Sequence, residues 1–302
     1  MKTFGYILKT LMIVTGLFLV EMVYGQEQDF DKVEIKTQPV TGGIYMLTGS
    51  GGNIGVSVGA DGTFLIDDQY APLTDKILKA LSRITDQPPR FVINTHWHGD
   101  HTGGNENLGK AGAILIAHDN VRKRMSRENF LSLFNQKVPP SPTGALPVIT
   151  FSETITFYLN GQETQVIHQA HAHTDGDGIV YFKESNVIHT GDLYFNGMYP
   201  FIDTSSKGSI QGVIAGTGKI LELANDATKI IPGHGPLSSK MELQAYREML
   251  IKSQERVQKL MDDGKTLEEI QALKPNSDFD PDLGNGFIQP DVFLKTIYDS
   301  LK

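Results

Sequence analysis

His96-Trp97-His98-Gly99-Asp100-His101 is the stretch around which the rest of the chain can be read. It follows directly on the apolar run Phe91 to Asn94, whose composition predicts a strand. A loop at a strand end stands on a rigid base and can aim its side chains into a cleft. In extended backbone His96 and His98, two residues apart, fall on the same side. Gly99 then lets the chain turn, so that Asp100 and His101 swing toward a neighbouring point. One short segment can thus offer ligands to two metal ions. Imidazole nitrogen and carboxylate oxygen suit zinc. The chain has no cysteine, so any soft metal would have to be held by nitrogen and oxygen.

Upstream of this stretch the pattern is a meander. Ile44 to Leu47, Ile54 to Val58 and Thr63 to Ile66 read as short strands broken at Gly51-Gly52 and Asp61-Gly62. Pro72 opens a helical pattern with Leu73, Ile77, Leu78 and Leu81 at helical spacing, and Pro88-Pro89 bars its continuation. Downstream come a short helix around Asn105, a strand from Ala113 to Ala117 and a helix through Val121 to Phe134. Lys137 to Pro147, with four prolines, reads as a loop. A second strand series follows at Ile155 to Leu159, Gln165 to His168, Gly178 to Phe182 and Val187 to Thr190. Helices are expected at Ile210 to Leu223 and Met241 to Met261, with the strand Lys229 to Ile231 between them and a helical cap from Lys265 onward. Two strand-rich halves, each ending in helices, would bury their sheets against one another. The fold class expected is α/β (α+β), a four-layer αββα sandwich formed as one domain over residues 26–302.

Three further segments carry candidate ligands: Ala172-His173-Thr174-Asp175-Gly176-Asp177, Thr190-Gly191-Asp192 and Pro232-Gly233-His234-Gly235. With the hexapeptide, their order and content resemble the metallo-β-lactamase superfamily, whose members carry H-x-H-x-D-H followed by A-H-T-x-G-D, T-G-D and P-G-H-G segments. The resemblance covers Val40 to Leu237. It implies two zinc ions, one on His96, His98 and His173, the other on Asp100, His101 and His234, with Asp192 bridging both. It also implies that Asp67, at the end of Leu65-Ile66-Asp67, orients a ligand histidine. His171 lies two residues from His173, but only His173 immediately precedes the Thr-Asp-Gly turn.

Two metals about 3.5 to 4 Å apart can share a hydroxide that is nucleophilic at neutral pH, and one of them can polarise a carbonyl. In that scheme Asp100 both ligates metal and orients the nucleophile. Tyr194 could donate to an oxyanion, although a tyrosine at this place reads first as packing. His118 is a candidate for the cleft wall, and His168 and His189 read as polar residues in or beside strands. The superfamily spans many chemistries, so the fold does not choose the substrate. Asp192 stands where one lactamase subclass has a cysteine ligand, and Phe195 where that subclass has a substrate-binding lysine. The Asp192 bridge resembles instead the thioesterase and lactonase side of the superfamily. The expected activity is a zinc hydrolase acting on a carbonyl-containing small molecule: β-lactam, lactone or thioester. The rival readings are an iron-dependent redox enzyme on the same ligands and a non-catalytic metal-binding protein.

Lys2 and Lys9 followed by the apolar stretch Ile7 to Val20 and by Val23-Tyr24-Gly25 read as a secretory signal over residues 1–25, giving a periplasmic or secreted chain that starts at Gln26. The stretch is short for a membrane span, which needs about 20 apolar residues. Removing residues 1–25 takes away Lys2, Lys9 and Glu21, moving the formal charge from −8 to about −9. An acidic chain whose longest basic run is Arg122-Lys123-Arg124 is a poor fit to nucleic acid. An exported chain without cysteine has no disulfide and depends on its apolar core, for which 39% apolar residues among 302 suffice.

Overall fold

Successive residues of a strand point to opposite faces of its sheet, and most strands of this chain are apolar on both. The computed structural model describes residues 29–302, so the expected signal at 1–25 lies outside the described residues. In chain order the first strands are β1 Lys36–Thr41, β2 Ile44–Thr48, β3 Ile54–Gly59, β4 Gly62–Ile66, β5 Pro89–Asn94 and β6 Ile114–His118. They are followed by β7 Asn129–Leu131, β8 Gln136–Val138, β9 Ile149–Phe151, β10 Thr154–Leu159 and β11 Gln162–Gln169. The last are β12 Asp177–Phe182, β13 Val187–His189, β14 Lys229–Ile231 and β15 Ser238–Ser239. The helices are α1 Thr74–Leu81, α2 Gly99–Thr102, α3 Asn105–Lys110, α4 Asp119–Met125, α5 Ile210–Leu223, α6 Lys240–Asp262, α7 Leu267–Leu273, α8 Asp280–Leu283 and α9 Pro290–Ser300. One sheet runs β1-β2-β3-β4-β5-β6-β9, a second runs β10 to β15 in sequence order, and β7 pairs with β8.

Neighbouring residues divide between the two faces. Ile66, Ile93 and Ile116 of the first sheet meet Val166, Val180, Val187 and Ile231 of the second in one buried cluster between the sheets. Their chain neighbours Leu65, Val92 and Leu115 point the other way, onto Ile77 and Leu81 of α1 and Leu108 of α3. On the second sheet Ile179, Ile188 and Ile230 pack outward against Val213 of α5, Leu250 of α6 and Phe293 of α9. The layers are therefore α, β, β, α, as the two strand-rich halves implied. Truncating Ile93 to alanine would remove a contact shared by both sheets, at a cost of about 2–5 kcal/mol.

Strand direction places the site. β4, β5, β6 and β9 run parallel to one another, as do β13 and β14. Parallel strands end on one edge of their sheet, and the loops beyond carboxyl ends form the crevice of such folds. Asp67 follows β4, His96 follows β5, Asp192 follows β13 and His234 follows β14.

Three local expectations are corrected. The helix expected through Val121 to Phe134 ends at Met125, because the Asn129 amide donates to the carbonyls of Arg124 (2.8 Å) and Arg127 (3.0 Å), and the chain turns back as the hairpin β7–β8. Asn135 turns the hairpin at φ 49°, a left-handed conformation that asparagine tolerates. The loop expected from Lys137 begins later, since Lys137 and Val138 belong to β8. The helix opened near Pro72 ends at Leu81, well before Pro88, and Pro89 already starts β5. No helix among the described residues is long and apolar enough to cross a membrane.

Candidate metal centre

The structure brings all seven expected ligands to one place, from five segments of the chain. His96 and His98 come from the loop after β5, Asp100 and His101 from α2, and His173 from the β11–β12 connection. Asp192 and His234 come from the turns after β13 and β14. Their ligand atoms form three overlapping groups, each within 4.8 Å: His96 with His98 and His173, His96 with His101 and Asp192, and Asp100 with His101 and His234. His96 and His101 each belong to two of these groups, and Asp192 lies beside histidines of all three. Its Oδ2 lies 3.5 Å from His173 Nε2, 3.5 Å from His234 Nε2 and 3.8 Å from His96 Nε2, and its Oδ1 lies 3.2 Å from His101 Nε2. Asp100 Oδ2 completes the far end, 3.4 Å from His101 Nε2 and 3.3 Å from His234 Nε2.

The donor set fits a metal. His96 Nε2 and Asp192 Oδ1 are buried without a hydrogen-bond partner, a costly state for polar atoms unless a cation completes them. The rings of His96, His98, His101 and His173 are also turned by a partner on their other nitrogen, as metal-ligating histidines usually are. Asp67 Oδ2 is 2.8 Å from His101 Nδ1, the role the sequence resemblance implied for it, and its oxygens also accept from the Thr95 N–H and hydroxyl, 2.7 Å each. The Phe201 carbonyl lies 2.8 Å from His173 Nδ1, and the Thr95 hydroxyl 3.1 Å from His96 Nδ1. His98 is reversed: Asp203 Oδ2 meets its Nε2 at 3.0 Å, leaving Nδ1 to face His173 Nε2 at 2.8 Å.

Glycine makes the closest approaches possible. A Cβ added at Gly52 would sit 2.1 Å from His101 Cε1, and one at Gly233 would sit 2.1 Å from Asp192 Oδ1. Asn53 joins the two halves by donating to the carbonyls of Pro232 (2.9 Å) and Gly235 (2.8 Å), which fixes the turn that carries His234.

Burial and charge oppose one another across the cluster. Burial lowers His173 to about 4 and, with neighbouring His101, holds His96 well below its ordinary range. Burial would raise Asp192 and Asp100, but the surrounding imidazoles overcome it and hold both carboxyls well below the usual range. Burial likewise opposes charge on His234, yet Asp192 and Asp100 raise it to about 9, and with Asp67 they raise His101 as well. One end of the cluster thus offers imidazoles ready to bind, while the other must give up protons to a metal.

The remaining candidates fall elsewhere. His118 caps α4, accepting from the Asn120 N–H and donating to the Ser152 carbonyl, and stacks on His168 with ring centroids 3.6 Å apart. His189 is buried between the Asn53 carbonyl and the Gly191 N–H. His171 is exposed, with Nδ1 3.3 Å from the Lys207 carbonyl. Tyr194 is buried against Tyr246 and its hydroxyl meets Ser238 Oγ at 2.9 Å, so it packs. Sequence reasoning missed Asp203 and Asn53, neither of which lies in a ligand motif.

The model of the metallo-beta-lactamase superfamily matches residues 47–237. Among characterised proteins, the chain is 25% identical over 217 residues to the 2,4-dinitroanisole O-demethylase subunit alpha of Nocardioides sp. (strain JS1661), covering 70% of this chain and 61% of that relative. It therefore spans about three fifths of that relative's length. Among solved structures, a metallo-beta-lactamase from Pontibacter korlensis matches with TM-score 0.60 at 19% identity, over 72% of this chain and 99% of that one. The stereoselective inverting sec-alkylsulfatase of Pseudomonas sp. matches with TM-score 0.69 at 18% identity, over 88% of this chain and 50% of that one. These likenesses agree with the two-sheet fold, and the family match runs from β2 through the turn that carries the last ligand, His234: the chain belongs to the metallo-β-lactamase superfamily.

Proposed function

We propose that the protein is an exported zinc-dependent hydrolase that cleaves a carbonyl-containing small molecule, a β-lactam, lactone or thioester. The observation that carries this reading is the position of the Asp192 carboxylate, within 4 Å of imidazoles from both ends of the cluster. His96, His98 and His173 would hold one ion and Asp100, His101 and His234 the other, with Asp192 on both. Zinc bound in such a pair lowers the pKa of water to near neutrality and polarises a carbonyl.

The chain's own residues do the rest. Asp100 and His234 are the ligand candidates most open to solvent, with side chains 21% and 23% exposed, so water reaches the cluster at that end. Asp100 is held anionic, which suits it to accept a hydrogen bond from an incoming water and so to orient it. The Phe195 ring stacks on His234 at 5.0 Å and the Phe201 ring on His98 at 5.5 Å, shielding the cluster from bulk water on two sides. Low dielectric around the charges strengthens their interactions with the reacting atoms. The expected secretory signal supports export.

The test is metal content of the purified mature chain, followed by turnover of a chromogenic cephalosporin, a lactone and a thioester. Two zinc ions with turnover of at least one of the three is the expected result. 2,4-Dinitroanisole and a secondary alkyl sulfate join the panel because two of the similar proteins are named for such substrates. Turnover of only those two, or two irons per chain, would replace the carbonyl hydrolase reading.

A further inference from the structure

Three distant segments deliver phenyl rings to one side of the metal cluster. Phe201, in the loop between β13 and α5, is buried and lies 5.5 Å from the His98 ring and 5.4 Å from the His173 ring. Phe134, at the turn of the β7–β8 hairpin, lies 5.2 Å from Phe201. Phe287, between α8 and α9, lies 5.7 Å from Phe134 and 6.3 Å from Phe201. These centroid separations are those of packed aromatic rings. The series runs from two candidate metal ligands to the surface, where Phe287 is 51% exposed.

The outer ring is held in place. Tyr199 donates to Asp280 Oδ1 at 2.8 Å, and Arg256 grips both oxygens of Asp278 at 2.6 and 2.9 Å. These bonds fix the segment leading into Phe287. Gly286 then lies so close to Met198 that an added Cβ would meet Met198 Cβ at 2.8 Å. A phenyl ring anchored half in water and continuous with a metal centre is a contact surface for something apolar that reaches that centre.

We propose that Phe201, Phe134 and Phe287 form the substrate subsite for a neutral apolar group, an alkyl acyl chain or an aryl ring, attached to the bond cleaved at the metal centre. Phe287 is the specificity-determining residue at its outer end. The proposal rests on the hydrolase reading for its substrate, and on the ring geometry for its binding chemistry.

Two measurements separate these. Binding of N-phenyl-1-naphthylamine, a neutral aromatic fluorophore, to the mature metal-loaded protein is expected to be saturable at one per chain. Phe287→Ala is expected to weaken it about five-fold, the order of one lost aromatic contact, and Phe287→Leu to weaken it less. Metal content and thermal midpoint are expected to stay near wild type in both variants. In a thioester series with acyl chains from two to ten carbons, wild-type kcat/KM is expected to rise with length. Phe287→Ala should flatten that rise through KM. Equal fluorophore affinity in wild type and Phe287→Ala, or no dependence on acyl length, would overturn the subsite. Phe287-dependent fluorophore binding without turnover of any β-lactam, lactone or thioester would sustain the subsite and remove the hydrolase reading.

Discussion

His96, His98 and His173 lie almost wholly out of water, each turned by a hydroxyl, a carboxylate or a carbonyl behind it, whereas Asp100 and His234 at the other end of the cluster keep about a fifth of their side chains exposed. The difference follows from the backbone. The closed end is fed by loops covered by Phe201 and Trp97, while the open end is carried by α2 and by the turn after β14. On the proposed function the closed end is the holding end and the open end the reacting one, with Asp192 coupling them. A structural metal site closes its coordination with protein ligands, and a catalytic one keeps a position open.

The largest test of the coupling is Asp192→Ala. A ligand shared by both ends should cost both metals, with kcat/KM falling on the order of 10³-fold, beyond the 10–100-fold typical of outer partners. Plasma mass spectrometry and turnover on one sample check it. Loss of metal from one end only would break the coupling.

Asp203→Asn and Asp67→Asn sharpen the comparison. Each should weaken metal binding by about 10–100-fold, Asp203 through His98 at the closed end and Asp67 through His101 at the open end. Competition with a zinc-binding dye should show two binding steps, a different one weakened in each variant. The same step weakened in both would merge the two ends.

Acidity should also separate the ends. In the metal-free protein His234 is raised to about 9, so it carries a proton at neutral pH that an incoming metal displaces. Affinity at the open end should therefore rise about tenfold or more from pH 7 to 8, His101 at that end being raised as well. His173, lowered to about 4, is already unprotonated there, so affinity at the closed end should change little. Isothermal titration in buffers of differing ionisation heat would count the protons released. Equal release from both ends would contradict this assignment.

The smallest effect expected is that of Tyr194→Phe. It removes one buried hydrogen bond to Ser238, about 1 kcal/mol of stability, and should leave metal content untouched. A fall in metal content would return Tyr194 to the site.

The same contrast explains what the sequence could and could not tell. The hexapeptide was readable because its donors are local and its turn glycine is adjacent, and Asp192 and His234 because each sits in a short glycine-containing turn. Asp203 was not, since it meets His98 from 105 positions away and belongs to no motif. Asn53, reaching Pro232 across 179 positions, was hidden for the same reason. In the fold, α5 and β14 were read at their observed bounds because their patterns are apolar and well delimited. Strand β1 escaped notice because it is an edge strand, largely exposed and containing Pro39, so no apolar alternation marks it. The β7–β8 hairpin was read as helix because Asn129, which ends the preceding helix, acts through its side chain.

The most direct test of a single two-metal centre is electron paramagnetic resonance of the protein loaded with two equivalents of Mn(II) in place of zinc. Two ions joined by Asp192 are expected to give the multiline spectrum of an exchange-coupled pair. The simple six-line spectrum of isolated ions, persisting at full loading, would contradict it.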